Sequence, residues 1–173
     1  MAEDYLASFT TSDFVICNTE NYSLSMLPIE ITWKSKVPYP SDTTGFYKGI
    51  FFRIDFGGFN PNTTDCRFVF VGLHDVDQTN SVKIINGANS QQAIVTVGVD
   101  VIYCYKAKIY VNKIELYFGE TIPIEPTVTM NAPVGGWDVK GNYLYLGIYE
   151  VSNAYGNFTA FTFDDLKIIK IIE

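Results

Sequence analysis

Basic and metal-binding side chains are scarce in this sequence. It has one histidine, His74, and two arginines, Arg53 and Arg67. Its three cysteines, Cys17, Cys66 and Cys104, are odd in number and show no CxxC spacing. That pattern excludes a disulfide framework and a cysteine zinc site. Cys17 and Cys104 sit in apolar runs and read as small buried hydrophobes. No Lys/Arg cluster is longer than a spaced pair such as Lys34 and Lys36, and the net charge is -7. A phosphate-rich partner needs a basic patch, so nucleic acid is set aside, and the acidity reads as solubility. Leu and Ala are sparse, and no amphipathic helix of ten or more residues can be traced. No apolar run reaches the roughly 20 residues of a membrane span, so membrane insertion is not expected. The start, Met1-Ala2-Glu3-Asp4-Tyr5, is acidic and lacks the basic and apolar regions of a signal peptide. The glycosylation sequons at Asn21, Asn62 and Asn157 therefore carry little weight.

What the chain has instead is aromatic residues. Its 13 Phe and 12 Tyr, with 2 Trp, give an aromatic share of 16%, and these types suit pleated, half-buried surfaces. At 173 residues the chain has the length of one domain and can bury roughly 70% of its extended surface without staples. Short apolar or alternating runs recur between turn residues. They are Phe14–Cys17, Leu27–Trp33, Phe51–Phe56, Arg67–Leu73, Val82–Ile85, Ala93–Val97, Val101–Tyr105, Lys108–Val111, Ile114–Gly119, Thr127–Met130, Tyr143–Tyr149, Phe161–Phe163 and Leu166–Ile172. Asn86-Gly87 is a hairpin-turn dipeptide. About a dozen strands at this spacing predict an all-β, two-sheet antiparallel sandwich. The expected organisation is an N-terminal arm over 1–12 and a single sandwich domain over 13–173. The segment from Asp164 has a helix-like charge pattern, but its four isoleucines favour a strand.

The order of features from Tyr103 onward carries more. Tyr105 to Val111 is followed by Glu115-Leu116-Tyr117-Phe118-Gly119-Glu120, a Gly135-Gly136-Trp137 loop, Tyr143-Leu144-Tyr145-Leu146-Gly147 and the closing Phe163-Asp164-Asp165-Leu166-Lys167-Ile168. This resembles the tail of a laminin-G or concanavalin A-like jelly roll. The resemblance implies a jelly-roll sandwich whose last strand pairs beside an early one. An acid pair just before that strand can accept backbone N–H bonds and hold a loop.

Catalytic signatures are thin. Hydrolases of this fold place two carboxylates at alternating strand positions, as in Glu-x-Asp-x-Glu. Here Glu115 to Glu120 lacks the middle acid, Asp75 and Asp77 read as loop residues without a Glu, and adjacent Asp164 and Asp165 would face opposite ways in a strand. A polysaccharide lyase has a Tyr-x-Lys-Ala strand like Tyr103 to Tyr110, but the arginine-rich strand and the Gln-x-His element are missing. His74 reads as a polar loop residue after the Phe68–Leu73 run. Calcium is the one cofactor left open, with Asp75, Asp77 and Asp165 as candidate oxygen ligands. Trp137, Tyr39 and Tyr155 lie in loop-like stretches and are the candidate sugar-stacking residues, although such rings also serve to cover the ends of a core.

The function expected from these features is non-enzymatic. The leading expectation is a phage or viral particle accessory protein, a capsid decoration or tail/fibre component with a lectin-like sandwich that binds glycans. The alternative is a carbohydrate-binding module or lectin domain of a larger secreted protein, and a polysaccharide lyase comes third. The expected partners are other particle proteins, further copies of the chain, or glycans, on a virion surface or outside the cell.

Overall fold

The computed structural model describes residues 7–9, 14–18, 27–36, 46–53, 69–76, 79–86, 89–98, 101–134, 136–137, 143–150 and 161–172. Among these there are twelve strands and no helix. The strands are β1 (Ala7–Phe9), β2 (Phe14–Asn18), β3 (Ile29–Lys36), β4 (Phe46–Arg53), β5 (Val69–Val76) and β6 (Thr79–Asn86). They continue with β7 (Asn89–Ile94), β8 (Ile102–Ile109), β9 (Lys113–Gly119), β10 (Val128–Asn131), β11 (Tyr143–Glu150) and β12 (Phe161–Lys170). Two six-stranded sheets result, with orders β1-β12-β3-β8-β9-β10 and β2-β11-β4-β5-β6-β7. Every pairing is antiparallel. The all-β, two-sheet sandwich read from the sequence is therefore the architecture.

The details differ in four places. Val101–Tyr105 and Lys108–Val111 are one continuous strand, β8, whose Lys106-Ala107 middle keeps the alternation intact. Phe161–Phe163 and Leu166–Ile172 also join into one strand, β12, across a register shift between Asp164 and Lys167. His74 and Asp75 are not loop residues but ladder residues of β5, opposite Tyr47 and Phe46 on β4. Ala7 to Phe9, inside the expected arm, pair with β12 as an edge strand. The closing strand thus lies between β1 and β3, the early-strand neighbour that its apolar residues call for.

The core follows from period-two alternation. On β3, Ile29, Ile31 and Trp33 point inward; on β8, Tyr103, Tyr105, Ala107 and Ile109 do so. From the second sheet Val71, Leu73, Val82 and Ile84 complete the same cluster. At its centre Trp33 stacks on Tyr105, its cross-strand partner, at 4.8 Å between ring centroids. Phe118 meets Tyr105 edge-on at 5.0 Å and stacks on Tyr103 at 4.8 Å. Such pairs add about 0.5–1.5 kcal/mol each beyond area burial. Three polar atoms sit inside this aromatic group without a hydrogen bond of ordinary geometry: Trp33 Nε1, and the neighbouring hydroxyls of Ser35 and Tyr105.

In the second sheet, three glycines stand side by side across the strands. Gly49 on β4 is opposite Gly72 on β5 and Gly147 on β11. Gly49 has a φ of 155°, and a Cβ there would lie 2.3 Å from the Val71 carbonyl oxygen. Only glycine lets β4 approach β5 this closely.

Candidate functional site

The outer face of the first sheet gathers the functional groups that the sequence scatters. Where Ile31, Trp33, Tyr105 and Ala107 point in, the residues between them point out. Cross-strand register then sets them in rows. Lys167, Thr32, Lys106 and Tyr117 form one row across β12, β3, β8 and β9. Ile169, Glu30, Lys108, Glu115 and Thr129 form the next. Asp164, Lys34 and Cys104 form a third. Lys36 and Lys113 complete the set among the described residues, which places six of the chain's 12 basic residues on this face.

Tyr117 is the centre of the arrangement. It is buried at 5% exposure although its neighbours Leu116 and Phe118, not Tyr117 itself, belong to the core. The lysines cover it: Lys106 Nζ lies 4.0 Å and Lys108 Nζ 5.7 Å from the ring centroid. A cation over an aromatic face is attracted by the ring quadrupole, which fixes the ammonium groups in place. The Tyr117 hydroxyl donates to Glu115 Oε2 at 3.0 Å, and Lys113 Nζ donates to Glu115 Oε1 at 2.6 Å. Lys113 also lies 5.0 Å from the Tyr110 ring centroid.

Desolvation pushes the Glu115 carboxyl up, but hydrogen bonds from Lys113 and Tyr117, with the charges of Lys113 and Lys108, outweigh it and hold it below its ordinary value. Desolvation, then the Glu115 hydrogen bond and charge, push the Tyr117 phenol up to about 12. The Lys113 ammonium is raised by its bond to Glu115. Because the folded Glu115 titrates below its unfolded counterpart, the pair contributes fully above the ordinary carboxylate range. That contribution fades as pH falls through the folded value. Glu115→Gln is expected to bring the Tyr117 phenol back towards the ordinary tyrosine value, leaving desolvation and the smaller effects of Tyr110 and Glu125 to raise it. Phenolate absorbance followed in an alkaline titration checks this; an unmoved titration would detach Tyr117 from Glu115.

A second ion pair lies across β3 and β12. Asp165 has a φ of 52°, and the β-bulge there brings its carboxylate to Lys34 Nζ, which donates to Oδ2. The bond to Lys34 lowers the Asp165 carboxyl and raises the Lys34 ammonium. The expectation that Asp164 and Asp165 face opposite ways is corrected by this bulge. Asp164 pairs with outward-facing Lys34 in the register, and Asp165 reaches the same lysine. Asp164 Oδ1 accepts the Asp165 backbone N–H at 2.8 Å, the acid-to-backbone contact expected of the pair, although it lies within a strand.

The residues singled out in the sequence are dispersed. Trp137 is 8% exposed, belongs to the core, and donates through Nε1 to the Tyr110 carbonyl at 2.8 Å. It covers an end of the core and presents no open ring for stacking. Tyr39, Tyr155 and Asp77 lie outside the described residues. Asp75 stands on a strand of the second sheet and Asp165 on a strand of the first. Among the described residues no group of three or more His, Cys, Asp or Glu gathers to hold a metal ion. Cys104 corrects another expectation. It is a free, half-exposed thiol on the outer face, with Sγ 3.4 Å from the Glu120 carbonyl oxygen. The reason is parity: Tyr103 and Tyr105 take the inward positions of β8. The same parity puts Tyr103 and Tyr105 of the lyase-like stretch on the opposite side of the sheet from its lysines, Lys106 and Lys108. The signal missed in the sequence is the period-two lysine pairs, Lys34 with Lys36 and Lys106 with Lys108, each flanked by inward-facing residues.

No family model matches the chain, and no curated protein matches it. Solved structures do. A functionally unknown protein from Saccharomyces cerevisiae is 13% identical with a TM-score of 0.54, covering 84% of this chain and 70% of its own. A glycoside hydrolase family protein from Mycobacterium thermorestibile is 11% identical with a TM-score of 0.55, covering 82% of this chain. The Trypanosoma rangeli sialidase is 9% identical with a TM-score of 0.52, covering 85% of this chain. The chain spans 63% of the mycobacterial protein and 21% of the sialidase. At this identity the likeness is one of fold. It nevertheless overturns the expectation of a non-enzymatic chain. Glycoside hydrolase family proteins and sialidases are enzymes that carry this fold, so the missing Glu-x-Asp-x-Glu strand does not set catalysis aside.

Proposed function

We propose that the chain is a glycan-recognition domain, a jelly roll of the laminin-G or concanavalin A-like kind, with the outer face of the first sheet as its binding surface. The observation that carries the reading is the face itself. Rows of Lys, Thr, Glu and Tyr side chains span four strands of a rigid sheet, offering donors and acceptors at regular spacing to a polyhydroxylated ligand. Successive rows are about 6.7 Å apart along the strands, and neighbouring strands are about 4.8 Å apart. The strand order supports the jelly-roll assignment: the chain passes repeatedly between the sheets and returns its last strand between β1 and β3. Fold neighbours that include a glycoside hydrolase family protein and a sialidase support glycans as the ligand class. The setting read from the sequence is a phage or viral particle surface. A domain of a larger secreted protein is the second setting, favoured by the chain spanning only part of those two neighbours.

A glycan array probed with the purified chain, with calcium and again with chelator, tests the proposal. Binding to a defined group of glycans is expected, and a blank array in both conditions overturns it. Binding lost under chelator would show that calcium takes part in holding the glycan.

A further inference from the structure

We propose that the ligand of this face is an acidic polysaccharide, one carrying carboxylate or sulfate groups along its chain, held by Lys106, Lys108 and Lys167. The inference rests on the glycan reading above and narrows it to a chemical class. Two of the six lysines on the face are neutralised in place, Lys34 by Asp165 and Lys113 by Glu115. Lys106, Lys108 and Lys167 make no direct ion pair among the described residues, although the charges of Lys108 and Lys167 act on Glu115 and Asp165 from further away. Their placement is regular. Lys106 and Lys108 are two residues apart on β8, about 6.7 Å, and Lys167 lies two strands from Lys106, about 9.6 Å. The hydroxyl-bearing Thr32 stands between Lys167 and Lys106 in the register. The Tyr117 ring already positions Lys106 and Lys108, so less side-chain freedom is lost on binding.

Charge selects the class. A neutral sugar gives three ammonium groups nothing to pair with, whereas carboxylates or sulfates form charge-assisted hydrogen bonds with them. The whole chain carries -7 and repels polyanions in general, so binding has to come from this local patch. A nucleic acid fits less well. The ring at the centre of the face is covered by lysines and cannot stack on bases.

Titration calorimetry with the full chain, using polygalacturonate, dextran sulfate, neutral dextran and a single-stranded DNA oligonucleotide, tests this. Binding to one or both acidic polysaccharides and none to dextran is expected. The triple variant Lys106→Gln, Lys108→Gln, Lys167→Gln is expected to lose roughly tenfold or more in affinity, since each change removes a charge-assisted hydrogen bond. Its salt dependence between about 50 and about 200 mM should flatten by about two in log–log slope. Lys170→Gln, which removes one charge away from these rows, should bind as the parent does. Replacing all three lysines by arginine should preserve binding and shows that the fold is kept. Equal binding by the triple glutamine variant and the parent overturns the proposal, as does tighter binding of the oligonucleotide than of either polysaccharide. If the chain binds only neutral glycans, the proposal fails and the glycan reading stands. If it binds no glycan of any kind, both fail.

Discussion

Trp33→Ala is expected to destabilise the fold by about 3–5 kcal/mol, lowering Tm by about 6–20 °C for a chain of this length. Trp33 is 1% exposed, stacks on Tyr105 and fills the space between the sheets, so its removal leaves a cavity that rigid cross-strand neighbours cannot close. Tyr105→Ala should fall in the same range. Tyr105→Phe should not. The Tyr105 hydroxyl is buried with the Ser35 hydroxyl near it but makes no hydrogen bond of ordinary geometry, so removing it relieves a poorly satisfied polar group while keeping the ring. That variant should melt within about 1 kcal/mol of the parent, on either side. It should also differ at high pH. Burial pushes the Tyr105 phenol well above its ordinary value. Above the ordinary tyrosine range the unfolded residue ionises while the folded one stays neutral, and stability falls as pH rises. Tyr105→Phe removes that part of the alkaline loss. A large drop in Tm for Tyr105→Phe would show that the hydroxyl has a partner and would sink this account of the core.

The second large effect is expected at Gly49. A methyl there would sit 2.3 Å from the Val71 carbonyl oxygen and 2.8 Å from the Gly72 Cα, both backbone atoms that cannot swing aside. The φ of 155° adds strain for any residue with a Cβ. Overpacking and backbone strain of about 1–3 kcal/mol each put Gly49→Ala at about 2–6 kcal/mol, enough to prevent accumulation of folded protein at the upper end. Denaturant unfolding followed by circular dichroism checks this. A midpoint equal to that of the parent would mean that β4 and β5 do not approach as described.

Strand content and alternation were legible in the chain because both are local. A period-two pattern such as Ile29, Ile31, Trp33 states which side chains share a face, whatever that face packs against. The same applies to Tyr103, Tyr105 and Ala107, and to the closing Leu166 to Ile172 run, where β-branched residues won over a helix-like charge pattern. Strand ends were less legible. His74 and Asp75 look like loop residues by polarity, yet the ladder between β4 and β6 continues through them, because pairing on both sides satisfies their backbone groups.

The sequence by itself determined an all-β chain, with a core built from inward-facing aromatic and aliphatic residues and lysines left on the other side of their strands. Only the tertiary structure decided which lysines meet. Lys34, Lys106 and Lys167 are far apart along the chain and adjacent only because β12 inserts beside β3 and β3 beside β8. Cross-strand register is a property of pairing, not of any single strand. It placed Tyr117 beneath Lys106, and a one-residue bulge brought Asp165 to Lys34. Packing outside the strands placed Trp137 within the core, where its indole N–H finds the Tyr110 carbonyl. Local physics sets the face a residue takes; the neighbours on that face, and so the chemistry, come from non-local pairing.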